Sequence, residues 1–251
     1  MTIKIQIITP HVTPRPHKLK EVESVAKANS DVEFSQTNIA EGPSSVEGSF
    51  DEGLAGPGVV AACIAGENAG VNAVMIDCMG DPGLDAAREA VTIPVLGPGE
   101  TTMHVAATLG HKFSVVTILD RVRPLLERNA RAYGVHDKLA SVRAVGIPVL
   151  EIEKSQDKLL EALTAESIKA VTEDHAEVIV LGCTGFMGVG DVLQAALKDA
   201  GLPVPVLNPI QTTVSYAIML ARLGLRHSKV AWPSPDLEKG IKGYAFLTEG
   251  V

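Results

Sequence analysis

Two stretches of this chain repeat each other, and the repeat narrows the folds open to it. Asn72-Ala-Val-Met-Ile-Asp-Cys78 is an apolar segment that ends on a cysteine and runs into a Gly-rich turn. Glu177-Val-Ile-Val-Leu-Gly-Cys183 does the same, with Thr184 and Gly185 following. A matching tail comes after each. Pro94-Val-Leu-Gly-Pro-Gly-Glu-Thr-Thr102 and Pro205-Val-Leu-Asn-Pro-Ile-Gln-Thr-Thr213 both fit P-V-L-x-P-x-x-T-T and lie 111 residues apart. A period that long is a duplicated half-domain, not a short-repeat solenoid. Apolar runs without alternation read as strands buried on both faces, which is the habit of parallel sheets.

The rest of the chain fits that frame. Strands are expected at 4–8, 32–39, 72–78, 93–96, 112–118, 141–150, 177–182 and 204–207, with helices between them. The segment 156–174 is plainly amphipathic, with Leu159, Leu160, Leu163, Ile168 and Val171 at helical spacing. Residues 41–51 read as loop, and Asp81-Pro82 as the opening of a helix. About eight strands alternating with helices make a parallel α/β protein. The duplication divides it into two pseudosymmetric lobes, each a roughly four-stranded parallel sheet flanked by helices. The expected division is 1–109 plus 223–251 for the first lobe and 110–222 for the second. The active site is expected in the cleft between them.

Composition removes some functions. The net charge is −8 with no dense Lys/Arg run, so nucleic acid is not an expected partner. No apolar run approaches 18 residues and the N-terminus lacks a signal-peptide pattern, so the expectation is a cytoplasmic protein with no membrane partner. Three cysteines at 63, 78 and 183 form neither a disulfide scaffold nor a metal-site spacing. No metal and no cofactor is expected.

The cysteines differ in context. Cys63 lies mid-helix among Ala and Val and reads as a small core hydrophobe. Cys78 and Cys183 both end strands, and ligands bind at the carboxyl ends of strands in α/β sheets. A helix N-terminus after each would favour thiolate. One thiolate and one thiol can remove a proton from a carbon next to a carbonyl and return it to the other face. Backbone N–H groups after each cysteine can hold the carbonyl oxygen. His11, in the Pro-rich loop after the first strand, reads equally as a substrate contact or as a loop residue.

The motifs Asp77-Cys-Met-Gly-Asp-Pro-Gly-Leu-Asp85 and Leu181-Gly-Cys-Thr-Gly185 resemble the Asp/Glu/hydantoin racemase superfamily, and within it the hydantoin and allantoin racemases. Gly42-Pro-Ser-Ser-Val-Glu-Gly48, Gly97-Pro-Gly-Glu100, Val115-Val-Thr117 and the segment from Pro233 to Gly243 match as well. The resemblance implies an isomerase with a cofactor-independent two-base mechanism, a small-molecule substrate and a homo-oligomer. It puts Cys78 and Cys183 on the catalytic pair, and Val46, Met79, Gly80, Thr117, Thr184 and Gly185 at the pocket. The family's first loop binds substrate through asparagines; here it reads Thr9-Pro10-His11, and those three are carried over as substrate-binding. Asn208 stands where hydantoin racemases usually carry an acidic residue. The expected reaction is racemisation of a 5-substituted hydantoin or allantoin. The alternatives are decarboxylation of a malonate or cis–trans isomerisation of a small diacid on the same fold, and a non-catalytic binding protein with inert thiols. No motif placed at the pocket contains Arg or Lys, which favours a neutral or singly charged ring over a diacid.

Overall fold

The computed structural model describes residues 2–15 and 17–236. It contains two four-stranded sheets, all parallel, with the same strand order. In the first unit β1 (Ile3–Thr9), β2 (Val32–Asn38), β3 (Ala73–Ile76) and β4 (Val95–Leu96) stand in the order β2-β1-β3-β4. In the second, β5 (Phe113–Thr117), β6 (Leu139–Ala144), β7 (Val178–Leu181) and β8 (Val206–Leu207) stand in the order β6-β5-β7-β8. The duplication read from the sequence is therefore a duplication of topology. Strands β3, β5 and β7 are buried along their whole length, which is why they carry no alternation.

The helices are α1 (Glu23–Ala28), α2 (Ser49–Asn68), α3 (Leu84–Ala90), α4 (Pro98–Leu109), α5 (Arg123–Ala132), α6 (Gln156–Thr172), α7 (Gly190–Asp199) and α8 (Pro209–Leu223). The two tail motifs become β4–α4 and β8–α8. The proline of each tail opens its helix, where its missing N–H costs nothing. Asn208 caps α8, its side-chain oxygen accepting from the N–H of Ile210 at 2.9 Å and of Gln211 at 3.2 Å. That is a local reason for an amide at this position. Helix α6 buries Leu159, Leu163, Ser167 and Ala170 at i, i+4, i+8 and i+11, and Ser155 caps it. Each buried leucine contributes about 1.5–3 kcal/mol.

Two helices depart from the expected division. The chain separates into one unit made of 1–46, 50–97 and 213–251 and another made of 47–49 and 98–212. Helix α4 thus belongs to the second unit, where it packs on β7. The larger part of α8 belongs to the first. Its Ala217 and Ile218 join Ile5, Val32, Ala73 and Leu96 in one apolar cluster. Arg222 on the same helix pairs with Asp31 at 2.7 Å. The expected boundaries at 109/110 and 222/223 move to 97/98 and 212/213, because burial of these helix faces, not chain order, decides which sheet they join.

Other details also differ from expectation. Helix α2 starts at Ser49, inside the segment read as loop. Helix α3 starts at Leu84 with Gly83 as its N-cap, so Asp81-Pro82 belongs to the preceding turn. The stretch 224–236 is tied to the first unit. The Val95 N–H donates to His227 Nε2 at 2.9 Å. Lys229 donates to the carbonyls of Arg88 and Glu89 at the end of α3, and the Trp232 indole N–H donates to Asp85 at 3.1 Å. The remainder of the family-like segment, from Leu237 to Gly243, lies outside the described residues. Among the described residues no helix is long and apolar enough to cross a membrane.

Candidate active site

The two cysteine turns are built alike. Cys78 follows β3, and Cys183 follows β7, one residue beyond Asp77 and Gly182 respectively. The carbonyl of Cys78 accepts from the N–H of Asp81 at 3.0 Å, and the carbonyl of Cys183 from the N–H of Phe186 at 3.2 Å. Each sulfur then accepts the N–H of the residue two further on. Gly80 donates to Cys78 Sγ at 3.4 Å and Gly185 donates to Cys183 Sγ at 3.3 Å. An N–H aimed at sulfur puts a donor where negative charge forms in a thiolate. Both thiols are half-buried, within reach of a ligand. Cys63 is the contrast: it is fully buried in the core, and that burial, with the Glu67 carboxylate nearby, pushes its thiol well above the usual range.

The expected helix N-termini are not where the thiols are. Helices α3 and α7 begin six and seven residues after their cysteines. The donors at sulfur are turn amides instead. Glycine is required just before Cys183: a Cβ on Gly182 would lie 2.8 Å from Thr117 Cα and Cβ and from Val115 Cγ1.

In the first unit, the Cys78 turn meets the first loop across the neighbouring strands β1 and β3. The N–H of Asp77 donates to the carbonyl of Ile8 at 2.8 Å. Of the three first-loop residues, Thr9 is fully buried and its hydroxyl is committed: it donates to Asp77 Oδ2 at 3.1 Å and accepts from Gln36 Nε2 at 3.2 Å. In the structure the Thr9 hydroxyl holds Asp77. Pro10 is buried as well. His11 is 7% exposed, and its Nδ1 finds no partner among the described residues. An orphaned buried nitrogen is costly and fits a group that a ligand completes. Met79 and Gly80 are buried in the turn, and Val46 packs half-buried on the unit's core.

In the second unit, Thr184 is buried at 6% exposure and Gly185 half-buried beside Cys183. Thr117 ends β5 as Thr9 ends β1. It is fully buried and its hydroxyl donates to the Gly182 carbonyl at 3.0 Å. The two central-strand threonines therefore do the same task, bracing the residue before each cysteine.

Sequence reasoning missed Lys18 and Asn38. Lys18 sits in a charged stretch that reads as a solvated helix face, yet its side chain is 3% exposed and pairs with Asp77 Oδ1 at 3.1 Å. The motifs at the pocket contain no cation, but the structure brings one to the residue before Cys78 and neutralises it there. Asn38 ends β2 and donates from Nδ2 to the carbonyls of His11 at 2.8 Å and Thr13 at 2.9 Å. Thr13 in turn donates to the Ser44 carbonyl, and Val12 to the Pro43 carbonyl. These bonds fix the loop in one shape. Asn38→Ala removes two of them, costs about 1–2 kcal/mol, and raises KM more than it lowers kcat. Urea melts and steady-state kinetics read the two effects.

His11 also predicts a pH effect. Burial first, then the charges of Arg15 and Lys18, lower it from 6.5 to about 4, against a hydrogen bond at the Thr13 backbone that works the other way. The unfolded chain takes up this proton before the folded one as pH falls. Stability is therefore lost between about pH 6.5 and pH 4 and is fully present above that window. His11→Asn flattens that part of the profile, measured as urea midpoint against pH.

Comparison with known proteins follows the same lines. Residues 17–217 match the family described as Asp/Glu/Hydantoin racemase. A hydantoin racemase from Pseudomonas sp. (strain NS671) is 37% identical over 228 residues, covering 91% of this chain and 90% of that one. A second hydantoin racemase, from Rhizobium meliloti, is 35% identical over 95% of this chain and 98% of its own length. The solved structure of an allantoin racemase from Klebsiella pneumoniae superposes with a TM-score of 0.88 at 32% identity, covering 98% of this chain and 99% of that one. With two parallel four-stranded units, a cysteine turn in each and this similarity along nearly its whole length, the chain belongs to the Asp/Glu/hydantoin racemase family and is a racemase.

Proposed function

We propose that the protein is a cofactor-independent racemase of a 5-substituted hydantoin or allantoin, with Cys78 and Cys183 as its acid–base pair. The observation that carries this reading is the duplicated turn, in which each half-buried sulfur accepts an amide N–H two residues on. One cysteine, as thiolate, removes the proton at ring C5. The electron pair moves into the adjacent carbonyl, whose oxygen is held by backbone N–H groups of the turns. The other cysteine, as thiol, delivers its proton to C5, and the two exchange roles for the opposite hand. A ring amide on either side of C5 acidifies that carbon enough for a thiolate.

The ring is neutral, and so are the polar groups offered to it. His11 carries no charge above about pH 4, and the charge of Lys18 is matched by Asp77. The similar proteins are named for hydantoin and allantoin, which agrees. Enantiopure 5-substituted hydantoins, allantoin, aryl malonates and small diacids, incubated with the enzyme and followed by polarimetry and NMR, test the reading. Racemisation of a hydantoin or allantoin is expected. Turnover of malonates or diacids alone would contradict it.

A further inference from the structure

We propose that Lys18 is a positioning residue that neutralises the Asp77 carboxylate so that Cys78 can form a thiolate, which makes the two thiols electrostatically distinct. The inference rests on the acid–base role of Cys78 proposed above. Asp77 is bonded directly to Cys78, and its side chain is 2% exposed. A carboxylate so placed, left alone, opposes negative charge on the neighbouring sulfur. Here both of its oxygens are engaged. Lys18 Nζ lies 3.1 Å from Oδ1, and the Thr9 hydroxyl donates to Oδ2 at 3.1 Å. Gln36 donates to Thr9 in turn and fixes its rotor. Paired, the buried carboxylate and the buried ammonium offset each other, and removing either one leaves the other uncompensated.

The second unit shows what the pair replaces. Gly182 occupies the place of Asp77, and the matching Thr117 hydroxyl donates to its backbone carbonyl at 3.0 Å. No side chain fits at 182, so no charge stands there. The same turn and the same bracing threonine thus serve one thiol beside an ion pair and one beside a bare peptide. Asp81 lies within the turn, its N–H donating to the Cys78 carbonyl, and in the first loop Arg15 joins Lys18 in acting on His11. His11 already responds to the positive charge of Lys18, among the causes that keep it neutral.

The test reads the sulfur, not the substrate. Iodoacetamide alkylation of Cys78 and Cys183 is followed separately by peptide mass spectrometry from pH 5 to about 10, with free thiols near 8.5 as the reference. Lys18→Met, Asp77→Asn and the double variant are compared with wild type. Lys18→Met moves the Cys78 midpoint up and Asp77→Asn moves it down, each by about one to two pH units, the size expected of one uncompensated charge at the neighbouring residue. The double variant returns it close to wild type, and Cys183 does not move in any of them. The proposal is overturned if the Cys78 midpoint stays within half a unit in both single variants, or if both cysteines shift together. Should a single variant fail to fold, the charge-balanced double variant decides: a Cys78 midpoint displaced by more than about one unit contradicts the proposal. A failed substrate panel leaves this result standing, so the two readings fail separately.

Discussion

Replacing either Cys78 or Cys183 by alanine lowers racemisation by about 10²- to 10⁴-fold, the usual worth of a positioned acid or base. The loss is the same for both enantiomers in kcat/KM, since the two hands of a substrate are equal in energy and the equilibrium constant is fixed at one. The variants part company in proton exchange. With Cys183 alone remaining, C5–H of one hand still exchanges with solvent and the other does not. With Cys78 alone remaining, the preference reverses. Polarimetry reports the shared loss, and loss of the C5–H NMR signal in D₂O reports the one-sided exchange. Cys63→Ala leaves both intact, because that thiol is fully buried in the core. If one cysteine variant keeps full racemisation, the two thiols are not a pair.

Gly182→Ala is the second large effect, and it acts through the backbone. The added methyl meets Thr117 Cα at 2.8 Å, together with Thr117 Cβ and Val115 Cγ1. A flexible side chain could yield to such an approach, but the Cα of a central strand cannot. Either β7 moves away from β5 or the Cys183 turn tilts. Overpacking of this kind costs about 1–3 kcal/mol, and a contact with main chain belongs at the upper end. A cost of about 3 kcal/mol lowers Tm by about 6–12 °C in a chain of this size. Activity falls further than stability explains, because the Thr117–Gly182 bond and the Gly185–Cys183 bond depend on the same backbone. Gly53→Ala is the control: it lies in α2 with nothing near its Cβ position, and its Tm does not fall. A Gly182→Ala protein with unchanged Tm and activity would refute the account of this turn.

Much of the architecture was legible because the duplicated segments carry their own local rules. Uninterrupted Val-Ile-Val-Leu and Ala-Val-Met-Ile runs mark buried strands, and the prolines at 98 and 209 mark helix starts. The onset of α2 was hidden because Gly53, Gly56, Pro57 and Gly58 make its first half look like loop. The places of α4 and α8 were not legible at all. Each follows a strand of one unit and packs in the other, and only the contacts of residues such as Ala217 and Ile218 reveal it.

At the site, the cysteines were legible from their position at strand ends. Their donors were not. A turn amide two residues on, and not a helix N-terminus, faces each sulfur. Lys18 was invisible for a different reason. Its neighbours Leu19, Lys20 and Glu21 give no sign of burial, and its partner Asp77 lies 59 residues away. The bond from the Thr9 hydroxyl to the buried Asp77 carboxylate was not legible either, because the two lie 68 residues apart.

Deuterium incorporation at early conversion separates a two-cysteine mechanism from a single base. Enantiopure 5-substituted hydantoin is turned over in D₂O by the wild-type enzyme, and product and remaining substrate are separated by chiral chromatography before mass analysis. A two-cysteine mechanism predicts deuterium in the product enantiomer from the first turnover and little in the unreacted substrate. Equal early labelling of both enantiomers would mean that a single base serves both faces, and would contradict the account.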